Sequence, residues 1–184
     1  MKYLLEGRET ERLKFRLLQD SDYDTWINLF NGTDYARFLG MAHLQTPEEQ
    51  CNLWFEKVKT RYDNDRGGMN VLIDKQTGEL VGQCGLQVQD VDGETIIEVG
   101  YSLLPQHHGK GYAIEAAKKC RDYAFEQGYV DELFSIIHIE NQPSVEVALR
   151  NGMRLYKATE FLGMPVNLYR ITKEEWTEIK NKNS

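Results

Sequence analysis

Residues 106–113 carry the densest chemistry in the chain: Gln106-His107-His108-Gly109-Lys110-Gly111-Tyr112-Ala113. A strand pattern ends at Leu104-Pro105 just before them, and a helical pattern starts within them. A strand that runs through a short loop straight into a helix gathers free backbone N–H groups and the positive end of a helix dipole. Gly109 and Gly111 bring no side chains, so an anion can approach that backbone closely, and Lys110 adds a positive charge. These are the ingredients of a diphosphate cradle. The plain alternative is a tight strand-to-helix turn. The spacing excludes two common nucleotide loops, because neither GxxxxGK[ST] nor an early GxGxxG in a βαβ unit is present.

A cradle needs elements to hold it, and the hydrophobic pattern predicts them. Leu13, Phe15 and Leu17 alternate like a half-buried strand. Asp20 and Ser21 are plausible caps for a helix carrying Trp26, Ile27, Leu29 and Phe30. Thr46-Pro47-Glu48-Glu49 reads as a capping box opening a second helix whose apolar face is Leu53, Trp54, Val58 and Tyr62. Strands over 70–74, 80–88 and 95–104, with turns at 76–78 and 92–93, predict an antiparallel meander. A helix follows over 109–127, stopped by Gly128, and then a near-continuous apolar strand over 133–139. A short helix at 144–150, strands at 154–161 and 166–171, and a helix from Thr172 complete the order. Seven strands and five helices in this order predict one α/β (α+β) domain over 1–184. Its mixed central sheet would carry helices on both faces.

Composition narrows the function. The chain has 184 residues, a net charge of −7, and 41% hydrophobic residues, enough for a core and against whole-chain disorder. The acidic balance argues against nucleic acid or an anionic membrane as partner, since both are polyanions, and favours cationic substrates such as amines. A small anion in a locally favourable pocket is unaffected. Glu6, Glu9 and Glu11 interrupt any secretory-type apolar segment. No apolar run approaches the ~20 residues of a membrane span. Cys51, Cys84 and Cys120 are odd in number and far apart, with no CxxC pair, so neither a disulfide framework nor a metal site is expected. These features predict a soluble, cytoplasmic protein.

Gln106-x-x-Gly109-x-Gly111 resembles the coenzyme A loop of the GNAT-type N-acetyltransferases, Gln/Arg-x-x-Gly-x-Gly/Ala. The resemblance extends over nearly the whole chain. The chain looks like the branch that includes the ribosomal-protein N-terminal acetyltransferases. Its marks are Glu11-Arg12-Leu13-x-x-Arg16, Leu80-Val81-Gly82-x-x-Gly85-Leu86, Glu98-Val99-Gly100-Tyr101, Glu140-Asn141-x-x-Ser144 and Asn151-Gly152-Met153. The resemblance implies that acetyl-CoA is the co-substrate and lies where two central strands splay apart. The pyrophosphate would then rest on amides from His107 through Ala113, including those of His108, Gly109, Lys110, Gly111 and Tyr112. The pantetheine would pair with the strand edge at about Ser102, Leu103 and Leu104, with Asn141 contacting the cofactor.

The implied chemistry is direct attack of a primary amine, on a small molecule or a peptide N-terminus, upon the thioester. It calls for a base, a polarised carbonyl and a proton for the thiolate. Glu98 is the preferred base, its pKa raised by apolar strand neighbours. Ser144 either lies near the sulfur end of the cofactor or caps its helix. Many members carry a tyrosine four residues before the glycine that ends this helix; here that residue is Ala148. The donor is left open among Tyr101, Tyr156, Tyr169 and Ser144. The same alanine supports an alternative, a coenzyme A-binding module with weakened catalysis.

His107 and His108 are expected as partly cationic anion contacts or solvated loop residues, and His43 and His138 as structural residues. Trp26, Trp54, Tyr35, Phe38 and Leu39 fall on the acceptor side, most of them as core. Asp34 or Glu48 is a candidate for meeting a substrate cation, and residues 161–165 for acceptor specificity. Dimers are common among similar proteins, so a homodimer is one expected state.

Overall fold

The computed structural model describes residues 2–183. Seven strands form one sheet: β1 (Leu13–Arg16), β2 (Gly67–Asp74), β3 (Leu80–Val91), β4 (Glu94–Leu103), β5 (Glu132–His138), β6 (Arg154–Phe161) and β7 (Met164–Thr172). Their spatial order is β1-β2-β3-β4-β5-β7-β6. Among the described residues only the β4–β5 pair is parallel, and the helix between them, α3 (Tyr112–Glu126), makes the crossover. The remaining helices are α1 (Tyr23–Trp26), α2 (Pro47–Asp63), α4 (Gln142–Arg150) and α5 (Lys173–Lys182).

Alternation along the strands gives the sheet two apolar faces. One buries Leu13, Phe15, Leu72, Leu86 and Val99 beneath Ala116, Ala117 and Cys120 of α3 and Trp176 of α5. The other buries Met69 and Val71 beneath Trp26 of α1 and Trp54, Phe55 and Val58 of α2. Each fully buried large side chain contributes on the order of 1.5–3 kcal/mol. Thr46 caps α2 as its sequence predicts, with the Glu49 amide on its hydroxyl and the Glu49 carboxylate returning to the Thr46 amide.

The first helical stretch departs from its pattern. Asp20 and Ser21 do not cap it: the N-cap is Gln19, and the Asp22 carboxylate accepts from the Gln19 amide while gripping Arg16. Short 3-10 turns at 20–22 and 27–29 bracket the single α-turn of α1. The helix expected from residue 109 begins at Tyr112, since Gly109 and Gly111 both take left-handed φ values of +74° and +79°.

Gly82 and Gly85 of the meander have a steric reason. A Cβ on Gly85 would lie 2.0 Å from the Gly68 carbonyl oxygen, and one on Gly82 2.6 Å from that of Ser102. Cys84 and Cys120, remote in sequence, meet across the β3–α3 interface with their sulfurs 3.6 Å apart as free thiols.

Candidate active site

The parallel pair β4–β5 comes apart almost as soon as it forms. Glu98 and Phe134 are its one registered pair. One residue on, the Ser135 hydroxyl rather than a backbone amide reaches the Val99 carbonyl, at 2.9 Å. Gly100 to Leu103 remain paired with β3 on their other edge. Their β5-facing edge therefore borders a gap. A cavity of about 630 Å³ opens there, reaching Tyr101, Ser144 and Asn141 on one side of the sheet and α2 on the other.

Glu98 lies at the point of separation. It is 9% exposed and raised in pKa by burial; a hydrogen bond from Gln89, the Arg61 charge and the Ile136 amide oppose the rise. Gln89 Nε2 donates to Glu98 Oε2 at 2.7 Å. Ile97 and Val99 point to the opposite face, and Gln87 and Gln89 flank the carboxylate. Gly100 keeps the approach clear: a Cβ there would lie 2.8 Å from Gln87 Nε2 and 3.9 Å from Glu98 Oε1.

Two phenols face the cavity in different states. Tyr101 donates to the Ser144 carbonyl at 2.7 Å, and burial raises its pKa strongly. A carbonyl only accepts, so that proton is committed. Tyr35, in a 3-10 turn at Tyr35–Leu39, meets the Ser102 hydroxyl at 3.2 Å and is raised in pKa by burial, with the Ser102 bond opposing. A hydroxyl partner can donate or accept, so Tyr35 is free to redirect its proton. Sequence reading treated Tyr35 chiefly as core, because nothing local reveals that residue 35 reaches residue 102.

Other expectations are corrected. Tyr156 is half exposed between Arg170 and Phe134, and Tyr169 packs in the core; neither lines the cavity. Ser144 is not the cap of α4, which is Asn141, its Oδ1 accepting from the Ser144 amide at 3.4 Å. His107 is buried, edge-on to Tyr112, with its pKa lowered by burial and Lys110; it is no cationic anion contact. The His108 ring turns back to the Leu103 carbonyl at 3.0 Å. His138 lines the cavity, its ring tilted against that of Phe38. Asp34 pairs with Arg37, and Glu48 does not reach the cavity.

At the far end of β4 the loop presents its amides. Those of His107 and His108 are taken by the carbonyls of Leu104 and Pro105. Gly109, Lys110 and Gly111 have no backbone acceptor among the described residues, and Tyr112 and Ala113 open α3, where helical amides lack partners. The set that the sequence places at 107–113 thus narrows to 109–113. Arg12, from the chain entering β1, donates to the Lys110 carbonyl at 2.9 Å and pairs with Glu115, setting a second cation against this loop.

Residues 12–154 match the model of the acetyltransferase (GNAT) domain. The chain belongs to the GNAT acetyltransferase family. It is therefore an acyltransferase, and the family's co-substrate is acetyl-CoA. It is 33% identical over 164 residues to the uncharacterized protein YkkB of Bacillus subtilis, covering 87% of this chain and 92% of YkkB. An acetyltransferase from Agrobacterium tumefaciens superposes with a TM-score of 0.74 at 27% identity, covering 93% and 96% of the two chains. RimL, a ribosomal L7/L12 alpha-N-protein acetyltransferase solved with coenzyme A, shares the fold with a TM-score of 0.69 at 17% identity, covering 90% and 97%.

For a GNAT domain the gap beside β4 has a defined shape. Leu104 lies outside its polar edge, since its amide bonds the Val81 carbonyl and its side chain is buried with α1 and α2. The Leu103 carbonyl is already engaged by His108. The edge open to a partner is the backbone of Tyr101 and the Leu103 amide, since Gly100 and Ser102 turn their backbone groups to β3. Ala148, on α4, is fully buried and brings no hydroxyl to the cavity. Among the described residues no His/Cys/Asp/Glu group is arranged to hold a metal ion, and no helix is long and apolar enough to cross a membrane.

Proposed function

We propose that the whole chain is one N-acetyltransferase domain that moves the acetyl group of acetyl-CoA to a primary amine by direct attack in a ternary complex. Glu98 carries this reading: a buried carboxylate of raised pKa at the point where β4 and β5 part, with open strand edge beside it and free amides beyond.

In this reading the diphosphate rests on the amides of Gly109, Lys110, Gly111, Tyr112 and Ala113, with the α3 dipole and Lys110 supplying positive potential. The space for it is open, as nothing lies within 4 Å of a Cβ built on Gly109. The pantetheine amides pair with the backbone of Tyr101 and the Leu103 amide, and Asn141 and Ser144 border the same channel. This strand pairing runs the thioester toward Glu98. A β4 amide polarises the thioester carbonyl. Glu98 takes the proton of the attacking amine, directly or through water, and the nitrogen forms its bond to the carbonyl carbon. The carbon–sulfur bond then breaks. Tyr35 gives its proton to the departing sulfur and recovers one through Ser102 or water. Tyr101, tied to Ser144, positions α4 against β4.

A module with weakened catalysis drew its support from Ala148. Tyr35 supplies a phenol from the other face of the sheet, which removes that support. Thiol release from acetyl-CoA across a panel of amines and short peptides tests the proposal. Release with at least one acceptor, above hydrolysis, is expected. Coenzyme A binding with no release from any acceptor would leave only the binding module.

A further inference from the structure

The acceptor half of the cavity carries a charge arrangement unlike that of the chain as a whole. Lys57 and Arg61 lie one turn apart on α2, and both line the cavity. Like charges at this spacing repel each other on a helix face. Burial lowers the pKa of both, and for Lys57 the Arg61 charge adds to the fall. Arg61 is committed: it donates to the Val88 carbonyl at 2.8 Å and to Gln89 Oε1 at 2.7 Å. Gln89 in turn holds Glu98, so Arg61 acts on the carboxylate through an intervening amide. Arg66 is paired with Asp90. Lys57 is different. Among the described residues no carboxylate lies within 4 Å of its ammonium, although Lys59 two positions away pairs with Asp20. Glu56 also lines the cavity, but neighbouring residues of a helix do not face each other.

The wall facing α2 is apolar. Phe38 and Leu39 contribute from the 3-10 turn, and Phe161, Leu162 and Met164 from the β6–β7 hairpin. From floor to rim the cavity therefore offers a buried carboxylate, an apolar slot and an unpaired cation.

Resting on the acetyltransferase reading above, we infer that the acceptor is an amine with an apolar body and an anionic group at its far end, the anion meeting Lys57 while the amine meets Glu98. A polyamine fits this arrangement poorly. Its distal cation would face Lys57 and Arg61 with no carboxylate between them, and a wrong-sign contact rejects as effectively as a right-sign contact selects. The net charge of the chain gives the opposite expectation, but only two of its 29 acidic residues, Glu56 and Glu98, line this cavity, against the cations Lys57, Arg61 and Arg66.

Three probes test this with the full chain and acetyl-CoA: 4-(aminomethyl)benzoate, its uncharged amide 4-(aminomethyl)benzamide, and spermine. The benzoate should exceed the benzamide about tenfold in kcat/KM, the worth of one charge-assisted contact, and spermine should be the poorest. In Lys57→Gln the benzoate-to-benzamide ratio should collapse toward one, and Lys57→Arg should restore it. Benzamide or spermine turned over as fast as the benzoate, or a ratio unchanged in Lys57→Gln, overturns the anion assignment and leaves the acetyltransferase reading standing. No thiol release with any of the three, nor with the wider amine panel, overturns both.

Discussion

Replacing Glu98 by Gln separates catalysis from stability. The two side chains are nearly isosteric, and a glutamine carbonyl can still accept from Gln89 Nε2 and the Ile136 amide. What disappears is the proton acceptor. Removing a general base costs roughly 10²- to 10³-fold in kcat/KM, about 2.7 to 4.1 kcal/mol at 1.36 kcal/mol per factor of ten. The pH dependence is a second signature. Burial raises the folded-state pKa of Glu98 above the ordinary 4.5. The wild-type rate should therefore fall as pH drops through that raised value, and Glu98→Gln should lose this acid limb. Stability runs the other way. A carboxyl that binds its proton more tightly when folded contributes stability at low pH, and loses it as pH rises from the unfolded value through the folded one. At neutral pH the buried carboxylate is a cost, so Glu98→Gln should melt no lower than wild type, and the melting curves should diverge as pH rises. Thiol-release kinetics and thermal denaturation between acid and neutral pH read both effects. Wild-type kcat/KM with the acid limb intact would refute the role of Glu98, and a variant destabilised at neutral pH would refute the electrostatic account.

Three further outcomes follow from the same geometry. Gly109→Glu should raise the coenzyme A dissociation constant at least 100-fold by calorimetry, because it puts a carboxylate in the cradle; the left-handed φ of +74° adds only about 1–2 kcal/mol of backbone strain, so the fold should persist. Tyr35→Phe should lower kcat with little change in the KM for acetyl-CoA, and the loss should shrink for acyl donors with a more acidic thiol; a wild-type kcat would remove Tyr35 from the proton path. Thr46→Ala removes the cap of α2 and should cost about 1 kcal/mol, a fall in Tm of about 2–4 °C for a chain of this size.

Sequence reading succeeds here where the physics is local. Thr46 and Glu49 cap each other within four residues, and Gly109-Lys110-Gly111 makes its turn from its own backbone. The place of Glu98 on the strand that leads directly into that loop is legible for the same reason. The gap itself was not, because it depends on β5 failing to follow β4 past Phe134, and no residue of β4 encodes its partner's departure. Tyr35 and Ser102 are 67 positions apart, and Lys57 shares a cavity with Glu98 only after α2 has packed across the meander. His107 illustrates the opposite error: a histidine in a polar loop reads as exposed, yet a 3-10 turn at 105–107 folds it under Tyr112. Asp20 and Ser21 mislead in a similar way: the carboxylate that serves this turn is that of Asp22, which also anchors Arg16.

The central claim is that one ligand spans the Gly109–Ala113 amides and the unpaired edge of β4. Residue-resolved amide hydrogen exchange, with and without coenzyme A, tests it most directly. Binding should slow exchange together at 109–113 and at Tyr101 and Leu103 of the open β4 edge, leaving the β6–β7 hairpin unchanged. Protection confined to other elements, or absent from both stretches at saturating ligand, would contradict the account.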